Sequence, residues 1–171
     1  SKQITNIPFQ VNQEIKLAKT HRVKRNVFEE KFTSKMIKNA QTSPDGKTVI
    51  FTSLGHIYKK EIPEGNPTRI TNLTDLEAEP TFSVDGKSVL FVSWNDENLG
   101  AIYKVHIDGT GLEKITKEKG IYRTPTFNSS GSKIVYRKEA GNGDQGFDYT
   151  KKTGIYIANA DGSNAKRVSK T

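Results

Sequence analysis

The sequence predicts an all-β fold made of three copies of one four-stranded antiparallel unit. A short motif centred on an Asp-Gly or Ser-Gly turn occurs three times, with the turn glycines at Gly46, Gly86 and Gly131. Each copy continues with an Ile-Tyr pair and closes on an Ile-Thr or Val-Ser pair. Recurrence with a period of about 40–45 residues is typical of architectures whose units gain stability by packing against their neighbours.

Each copy begins with a short strand that ends at the glycine turn. Asp-Gly and Ser-Gly dipeptides readily supply the positive φ that a tight hairpin turn requires. The second strand follows the turn and is apolar on both faces, which predicts that it lies inside a stack of sheets. These second strands cover residues 49–51, 89–91 and 134–136.

The Ile-Tyr pairs mark a third strand in each copy and the closing pairs mark a fourth. Further turn signals stand between them, including Asp108-Gly109 and Asp161-Gly162. A four-stranded antiparallel unit of this length predicts a β-propeller blade. We therefore predict three blades of a partial β-propeller, at about residues 39–72, 79–117 and 124–170. Aromatic residues that recur at equivalent positions are expected in the inter-blade core: Phe82, Phe91, Phe127, Tyr58, Tyr103 and Tyr156.

Residues 1–38 lie outside the repeat and form a basic N-terminal extension. They hold nine Lys/Arg and three Glu, whereas the net charge of the whole chain is +8. Nothing in the extension interleaves aromatic residues with arginine as single-strand binders do, so a nucleic-acid partner is not expected. Ile7, Phe9 and Val11 alternate as in a strand, which could close the outer edge of a last blade.

The repeat motif resembles that of the TolB-like family of β-propellers. The string Ser-Pro-Asp-Gly-Lys-x-(Val/Ile)-x-Phe stands at residues 43–51, followed by Ile57-Tyr58 and by the close at residues 69–71. The second copy has Val84 in place of the usual Pro, and the third copy is the most degenerate. The resemblance covers residues 39–171, and it is specific to the repeat type rather than to a function.

Within this resemblance, the N-terminal propeller region of secreted amidohydrolases is closest in appearance. Residues 7–40, 93–96 and 154–156 carry that similarity. It implies a non-catalytic propeller module that serves binding or substrate access in a larger secreted or periplasmic bacterial protein. The alternative is a periplasmic protein-interaction propeller of the Tol–Pal type without an enzyme domain. A third possibility is a lyase or peptidase whose site forms only in the complete ring.

Propellers of this type normally close with six or seven blades, so three blades imply a fragment. The expected partners are the remaining blades or a catalytic domain of the same protein, or a protein or peptide ligand. A second copy of the chain could also pair through the open blade faces to make a six-bladed homodimer.

No catalytic or cofactor motif is present in this segment. The three histidines, His21, His56 and His106, lack the spacing of a zinc site. Without cysteine there is no thiolate ligand and no disulfide, which suits a periplasmic or secreted protein and equally suits a cytosolic one. No apolar run is long enough to span a membrane. Asp144 and Asp148, in a glycine-rich loop, are weak candidates for a cation site, and a flexible hairpin loop is the alternative.

The variable loops between the second and third strands open at the same end of the blades as the blade-to-blade connections, because successive hairpin turns alternate ends. That end is predicted to gather an aromatic residue, an arginine and several carboxylates, which could bind a cationic or peptide-like ligand. Solvated variable loops are the alternative. The candidate binding residues are Glu77, Trp94, Asp96, Tyr122 and Arg123.

Overall fold

The computed structural model describes residues 5–19, 23, 30–142, 147–148 and 151–169, with residues 142, 147 and 148 described in their backbone alone. The chain divides into two compact units, Ser1–Thr33 and Ser34–Thr171. In the first unit the described residues form neither helix nor strand. Ile7, Phe9 and Val11, predicted to be a strand, are 82%, 84% and 75% exposed. They pair with no strand, so their backbone lacks the ladder that would hold them extended, and a closing role stays a prediction.

The second unit consists of three four-stranded antiparallel sheets, here called blades 1 to 3, and contains no helix among its described residues. Each sheet has its strands in sequence order. Blade 1 comprises β1 (Lys38–Thr42), β2 (Thr48–Ser53), β3 (His56–Glu61) and β4 (Thr68–Arg69). Blade 2 comprises β5 (Leu76–Phe82), β6 (Ser88–Asn95), β7 (Leu99–His106) and β8 (Glu113–Lys114).

Blade 3 has an extra hairpin inserted between its second and third strands. It comprises β9 (Ile121–Phe127), β10 (Lys133–Glu139), β13 (Gly154–Asn159) and β14 (Lys166–Ser169). The insertion pairs β11 (Gly141–Asn142) with β12 (Phe147–Asp148) as a separate two-stranded sheet. The all-β prediction and the partial-propeller architecture are confirmed.

The predicted glycine turns have the predicted backbone conformation. Gly46, Gly86 and Gly131 have φ of 71°, 70° and 70°. In blade 2 the turn is reinforced by side chains, since the Ser83 hydroxyl donates to Asp85 Oδ1 at 2.6 Å and accepts from the Ser88 N–H at 2.9 Å. Blade 1 repeats this arrangement with its own serine and aspartate. The recurring turn fixes the register of the first two strands in each blade.

The first strand of every blade contains a bulge at the same repeat position. Asn39, Glu79 and Thr124 have φ of 51°, 53° and 49°, and the pairing with the second strand shifts register beside each of them. A bulge bends the strand and increases its twist. The residues before the bulge are therefore aimed differently from what simple alternation predicts.

Two hydrophobic clusters fill the spaces between the blades. One joins blade 1 to blade 2 and includes Ile50, Val89 and Phe91, all fully buried; the other joins blade 2 to blade 3 and includes Leu90 and Ile134. Neighbouring residues on β6 thus face opposite blades, which confirms that this strand is covered on both sides. On β10 buried and more exposed residues alternate, so its second face is only partly covered. Of the aromatics predicted in the core, five lie in or against a cluster: Phe82, Phe91, Phe127, Tyr103 and Tyr156. Tyr58 instead stacks on Phe51, with ring centroids 5.9 Å apart.

The turn between the third and fourth strands touches the preceding blade. A Cβ on Gly162 of blade 3 would lie 2.1 Å from the carbonyl oxygen of Ile115 in blade 2. Gly109 of blade 2 approaches Ile70 of blade 1 in the same way, at 2.9 Å. These two glycines have positive φ, 80° and 92°. The Asp-Gly turns at 108–109 and 161–162 therefore set how closely the blades stack, beyond forming a hairpin.

Candidate binding surface between blades 2 and 3

The loops predicted to share one end of the blades do so. Leu76, at the start of β5, pairs with Trp94 at the end of β6, and Trp94 pairs with Gly100 near the start of β7. Gly100 in turn bridges Gly120, just before β9. The second-to-third-strand loop of blade 2 therefore meets its connection to blade 3 at this end, which we call the upper end.

Trp94 lies at the upper end beside an apolar cleft between blades 2 and 3. The indole is half-buried, and its Nε1 donates to Asp96 Oδ1 at 3.1 Å. The cleft has a volume of about 360 Å³. Its lining is Leu76, Ala78, Val92, Ser93, Trp94, Ile121, Tyr122 and Arg123. Trp94, Asp96 and Arg123 are thus brought to one region, with an aromatic surface beside an apolar recess.

Arg123 contacts carboxylates on two different blades. Its NH1 atom lies 3.1 Å from Glu79 Oε1 of blade 2, and its Nε lies 3.7 Å from Glu139 Oε2 of blade 3. The arginine side chain is 46% exposed. The pair with Glu139, in which both side chains are more than a third exposed, contributes little to stability, so the guanidinium can exchange this partner for an incoming ligand at small cost.

The structure buries Glu77, which the sequence placed among the surface candidates. Its side chain is fully buried between blades 1 and 2. One carboxylate oxygen accepts from the N–H of Ile57 at 2.9 Å, and the other accepts from the hydroxyl of Thr71. His56 Nδ1 and Arg69 NH2 lie at 3.5 and 3.7 Å. This carboxylate is used inside the protein, and both faces of its strand are covered, which the alternating pattern did not reveal.

Tyr122 is buried as well, at 4% exposure, with its edge reaching the upper cleft. Its hydroxyl donates to the carbonyl oxygen of Glu118 at 2.7 Å. Burial raises the pKa of Tyr122 far above its ordinary range, and burial also raises the pKa of the neighbouring Tyr136 to about 12. The Tyr122 and Tyr136 rings meet edge to face, with centroids 5.7 Å apart. Tyr122 is thus a packing residue whose position borders a surface.

Sequence reasoning missed Lys138, a lysine whose side chain is only 5% exposed. Its Nζ lies 2.6 Å from Glu118 Oε2 and 5.8 Å from the centroid of the Tyr122 ring. The signal was present, because Lys138 follows Ile134 and Tyr136 at a spacing of two along β10 and so shares their buried face.

The structure adds no support for the candidate cation site or for a histidine site among the residues that it describes. Asp144 and His21 lie outside the described residues, and only the backbone of Asp148 is described, within β12. Elsewhere in the described chain, no group of three or more His, Cys, Asp or Glu side chains could hold a metal ion. His106 Nδ1 lies 3.3 Å from the Ser88 hydroxyl. That this segment binds no cofactor stays a prediction.

The described part of the chain also has no helix with the length and apolar character needed to cross a bilayer.

Relatives of this chain are found both by sequence and by structure, although no protein-family model matches it. It is 31% identical over 98 residues to an uncharacterised protein of Agrobacterium fabrum, covering 55% of this chain and 33% of that protein. It is also 31% identical over 92 residues to the Tol-Pal system protein TolB of Francisella tularensis subsp. mediasiatica, covering 54% and 19%. The chain therefore spans a third or less of the length of these relatives.

Solved structures agree with the repeat motif. A TolB-like protein of Agrobacterium tumefaciens superposes with a TM-score of 0.63 at 26% identity, covering 81% of this chain and 50% of that one. TolB of Acinetobacter baumannii gives 0.62 at 23% identity, covering 78% and 32%. An oligogalacturonate lyase in complex with manganese gives 0.64 at 12% identity, covering 77% and 40%, a likeness of fold alone.

The link to amidohydrolases stays a prediction, but the repeats, the three stacked sheets and these neighbours show that the chain is a partial all-β propeller similar to TolB and TolB-like propeller proteins.

Proposed function

We propose that this propeller segment is a binding module for a protein partner, and that the upper cleft between blades 2 and 3 receives an apolar side chain of that partner. The proposal rests on one observation: the half-buried indole of Trp94 and the exposed guanidinium of Arg123 border the same cleft of about 360 Å³. Tryptophan and arginine are the residues most enriched at the energetic centres of protein interfaces. The sequence relationship to a Tol-Pal system protein supports a protein ligand.

Trp94 provides a direct readout, because it is the single tryptophan of the chain. Peptides selected from a phage-displayed library against the protein are titrated in while the indole emission is followed. We expect an emission shift on binding and a loss of affinity of about tenfold in Arg123→Ala, the size of loss typical of an interface residue that matters. The matched control is Lys133→Ala, an exposed cation at the opposite end of β10. Peptides that bind without changing the indole emission, and equally well to Arg123→Ala, would overturn the proposal.

In its narrower form, the proposal makes this module part of a larger secreted or periplasmic amidohydrolase-like protein, where it supports the catalytic domain or filters substrate. The motif resemblance at residues 7–40, 93–96 and 154–156 is the basis of this form. The competing form is a periplasmic protein-interaction propeller of the Tol–Pal type, supported by the TolB relatives. The sequence of the encoding gene separates them: a histidine-bearing metal barrel in the same reading frame supports the first, and further blades alone support the second.

We propose as a second candidate a homodimer through the open blade faces, which uses a surface other than the upper cleft. Val135, Ile155 and Val168 of blade 3 occupy the repeat positions of Ile50, Ile57 and Ile70, which blade 1 buries against blade 2. Ile155 and Val168 are 39% and 57% exposed, so this face lacks the cover that its equivalents have. The stacked Phe51–Tyr58 pair of a second copy would supply it. A monomeric mass by light scattering at high micromolar concentration would exclude this form.

A further inference from the structure

A second recess, which shares only Tyr122 with the lining of the upper cleft, lies where the end of blade 2 meets blade 3. It has a volume of about 430 Å³. We call it the lateral groove; it is lined by residues 115–118 of blade 2 and by Tyr122, Tyr136, Lys138, Lys152, Tyr156 and 162–165 of blade 3. Aromatic rings form one wall, since Tyr136 and Tyr156 stack with centroids 5.5 Å apart and an interplanar angle of 5°.

The lateral groove is positively charged. Among the described residues, its lining carries the ammonium groups of Lys117, Lys138 and Lys152 against a single carboxylate, that of Glu118. Lys138 is the buried member, with its side chain 5% exposed, whereas the side chain of Glu118 is 75% exposed. A lysine buried to this extent needs an anionic partner, and here the partner reaches in from solvent.

At the junction between blades 1 and 2, a buried charge is paired with groups fixed inside the protein. In blade 2, Glu77 pairs across the strands with Ser93, and in blade 3 the same pair of positions holds Tyr122 and Lys138. The buried charge of Glu77 is satisfied by blade 1 groups that cannot leave, chiefly the backbone N–H of Ile57. Lys138 has instead a carboxylate on a long, exposed side chain.

That difference decides how easily the partner can be exchanged. An ion pair in which one member is largely exposed is easier to break than an enclosed one, because water and a competing ion can replace the exposed member. Lys138 and Lys152 both act on Glu118: the hydrogen bond from Lys138, its charge and the charge of Lys152 hold the pKa of Glu118 below its usual value. Glu118 thus behaves as an internal carboxylate ligand of a cationic, aromatic-walled groove.

We propose that the lateral groove binds an external carboxylate group, which takes the place of the Glu118 side chain on Lys138 and lies against the tyrosine wall. Such a group has two sources, a free organic acid with a planar apolar body or an acidic side chain of a peptide. The site shares Tyr122 with the Trp94 cleft but uses different charged groups, and it adds a ligand class to the protein-binding function proposed above without relying on it.

The test uses phenylacetate as the free acid, phenylacetamide as its neutral counterpart and an acetylated, amidated tetraglutamate as the peptide. Amide chemical shifts of residues 115–118 and 136–138 report binding. Glu118→Gln removes the internal competitor, and we expect it to bind phenylacetate about tenfold more tightly than the wild type, as when a mostly occupied site is freed. Glu97→Gln, which removes an exposed carboxylate outside the groove, should leave the affinity unchanged.

Lys138→Met should abolish binding of phenylacetate, and Lys152→Met, at an exposed position, should weaken it without a risk to folding. Tighter binding of tetraglutamate than of phenylacetate, with the same dependence on Lys138, assigns the source to a peptide, and the reverse order assigns it to a free acid. Equal affinities in the wild type, Glu118→Gln and Glu97→Gln would overturn the proposal. The proposal would also be overturned if phenylacetamide bound with the same affinity as phenylacetate, or if inorganic phosphate bound more tightly than phenylacetate.

Discussion

Glu77, on the first strand of blade 2, accepts a hydrogen bond from the backbone N–H of Ile57, on the third strand of blade 1, at 2.9 Å. The hydroxyl of Thr71, just after the fourth strand of blade 1, donates to the other carboxylate oxygen. One buried carboxylate therefore links the third strand of blade 1, and the segment after its fourth strand, to blade 2. Hydrogen bonds to a charged group that is wholly enclosed are among the stronger contributions to stability.

Replacing Glu77 by alanine should destabilise the protein by about 3 kcal/mol, because it leaves a buried N–H without its acceptor and opens a cavity. Glu77→Gln should lose less, since its amide oxygen can still accept one of the two hydrogen bonds. Urea unfolding monitored by circular dichroism measures both, with Glu97→Gln as the exposed control. Equal unfolding midpoints for Glu77→Ala and Glu97→Gln would show that the junction does not depend on this carboxylate.

The blade spacing depends on glycine at the turn between the third and fourth strands. Gly162→Ala would place a methyl group 2.1 Å from the Ile115 carbonyl oxygen, and it would also hold alanine at a φ of 80°. Gly131→Ala is the matched control, because it has a φ of 70° with nothing within 4 Å of the added carbon.

We expect Gly131→Ala to lose about 1 kcal/mol from backbone strain alone, and Gly162→Ala to lose roughly 3 kcal/mol because blades 2 and 3 must also move apart. Thermal and urea unfolding of the two variants measure the difference. Losses of the same size would mean that the turn conformation alone, rather than the contact between blades, requires glycine at position 162.

The repeat architecture was predictable because it depends on local signals that recur. The positive φ at Gly46, Gly86 and Gly131, the two-sided burial of β2 and β6, and the shared upper end of the variable loops all follow from turn chemistry and alternation. Each is decided within one blade, so one sequence motif carries the information.

The candidate site was predicted only in part, for a physical reason. Trp94, Asp96 and Arg123 lie near one another, but Glu77 and Tyr122 occupy equivalent positions on β5 and β9 that face a neighbouring blade. A carboxylate is assigned to the surface by its type, and only the donors supplied by another blade make its burial possible. Glu77 and Tyr122 occupy the same repeat position, and the aromatic residue at that position is a sequence signal that the position is buried.

The serine-aspartate turn should make blade 2 sensitive to acid. The hydrogen bond from Ser83, with that from the Lys87 N–H, holds the pKa of Asp85 below its ordinary value of 3.8. Because the folded state favours the carboxylate, this contribution is complete above the unfolded pKa near 3.8 and is lost as the pH falls through the folded pKa.

Ser83→Ala removes the largest cause, so the pKa of Asp85 should move up towards 3.8. Carboxyl-carbon NMR titration of the folded protein measures this shift directly. Asp45, whose turn in blade 1 has its own serine, is the internal control and should keep its lowered pKa in the same variant. An unchanged Asp85 titration in Ser83→Ala would mean that the backbone of the turn, and not the hydroxyl, stabilises the charge.

The tyrosines between blades 2 and 3 should resist ionisation. Burial, together with the nearby Tyr156 and Glu118, raises the pKa of Tyr136 to about 12. Folding therefore disfavours the phenolate, and stability is full below the unfolded pKa near 10 and falls as the pH rises above it.

In a spectrophotometric titration at 295 nm, Tyr136→Phe should remove a tyrosine that ionises near pH 12, leaving the absorbance change between pH 9 and about 11 the same as in the wild type. A smaller change in that lower range would instead show that Tyr136 ionises as an exposed tyrosine does, and that the junction between blades 2 and 3 is open to water.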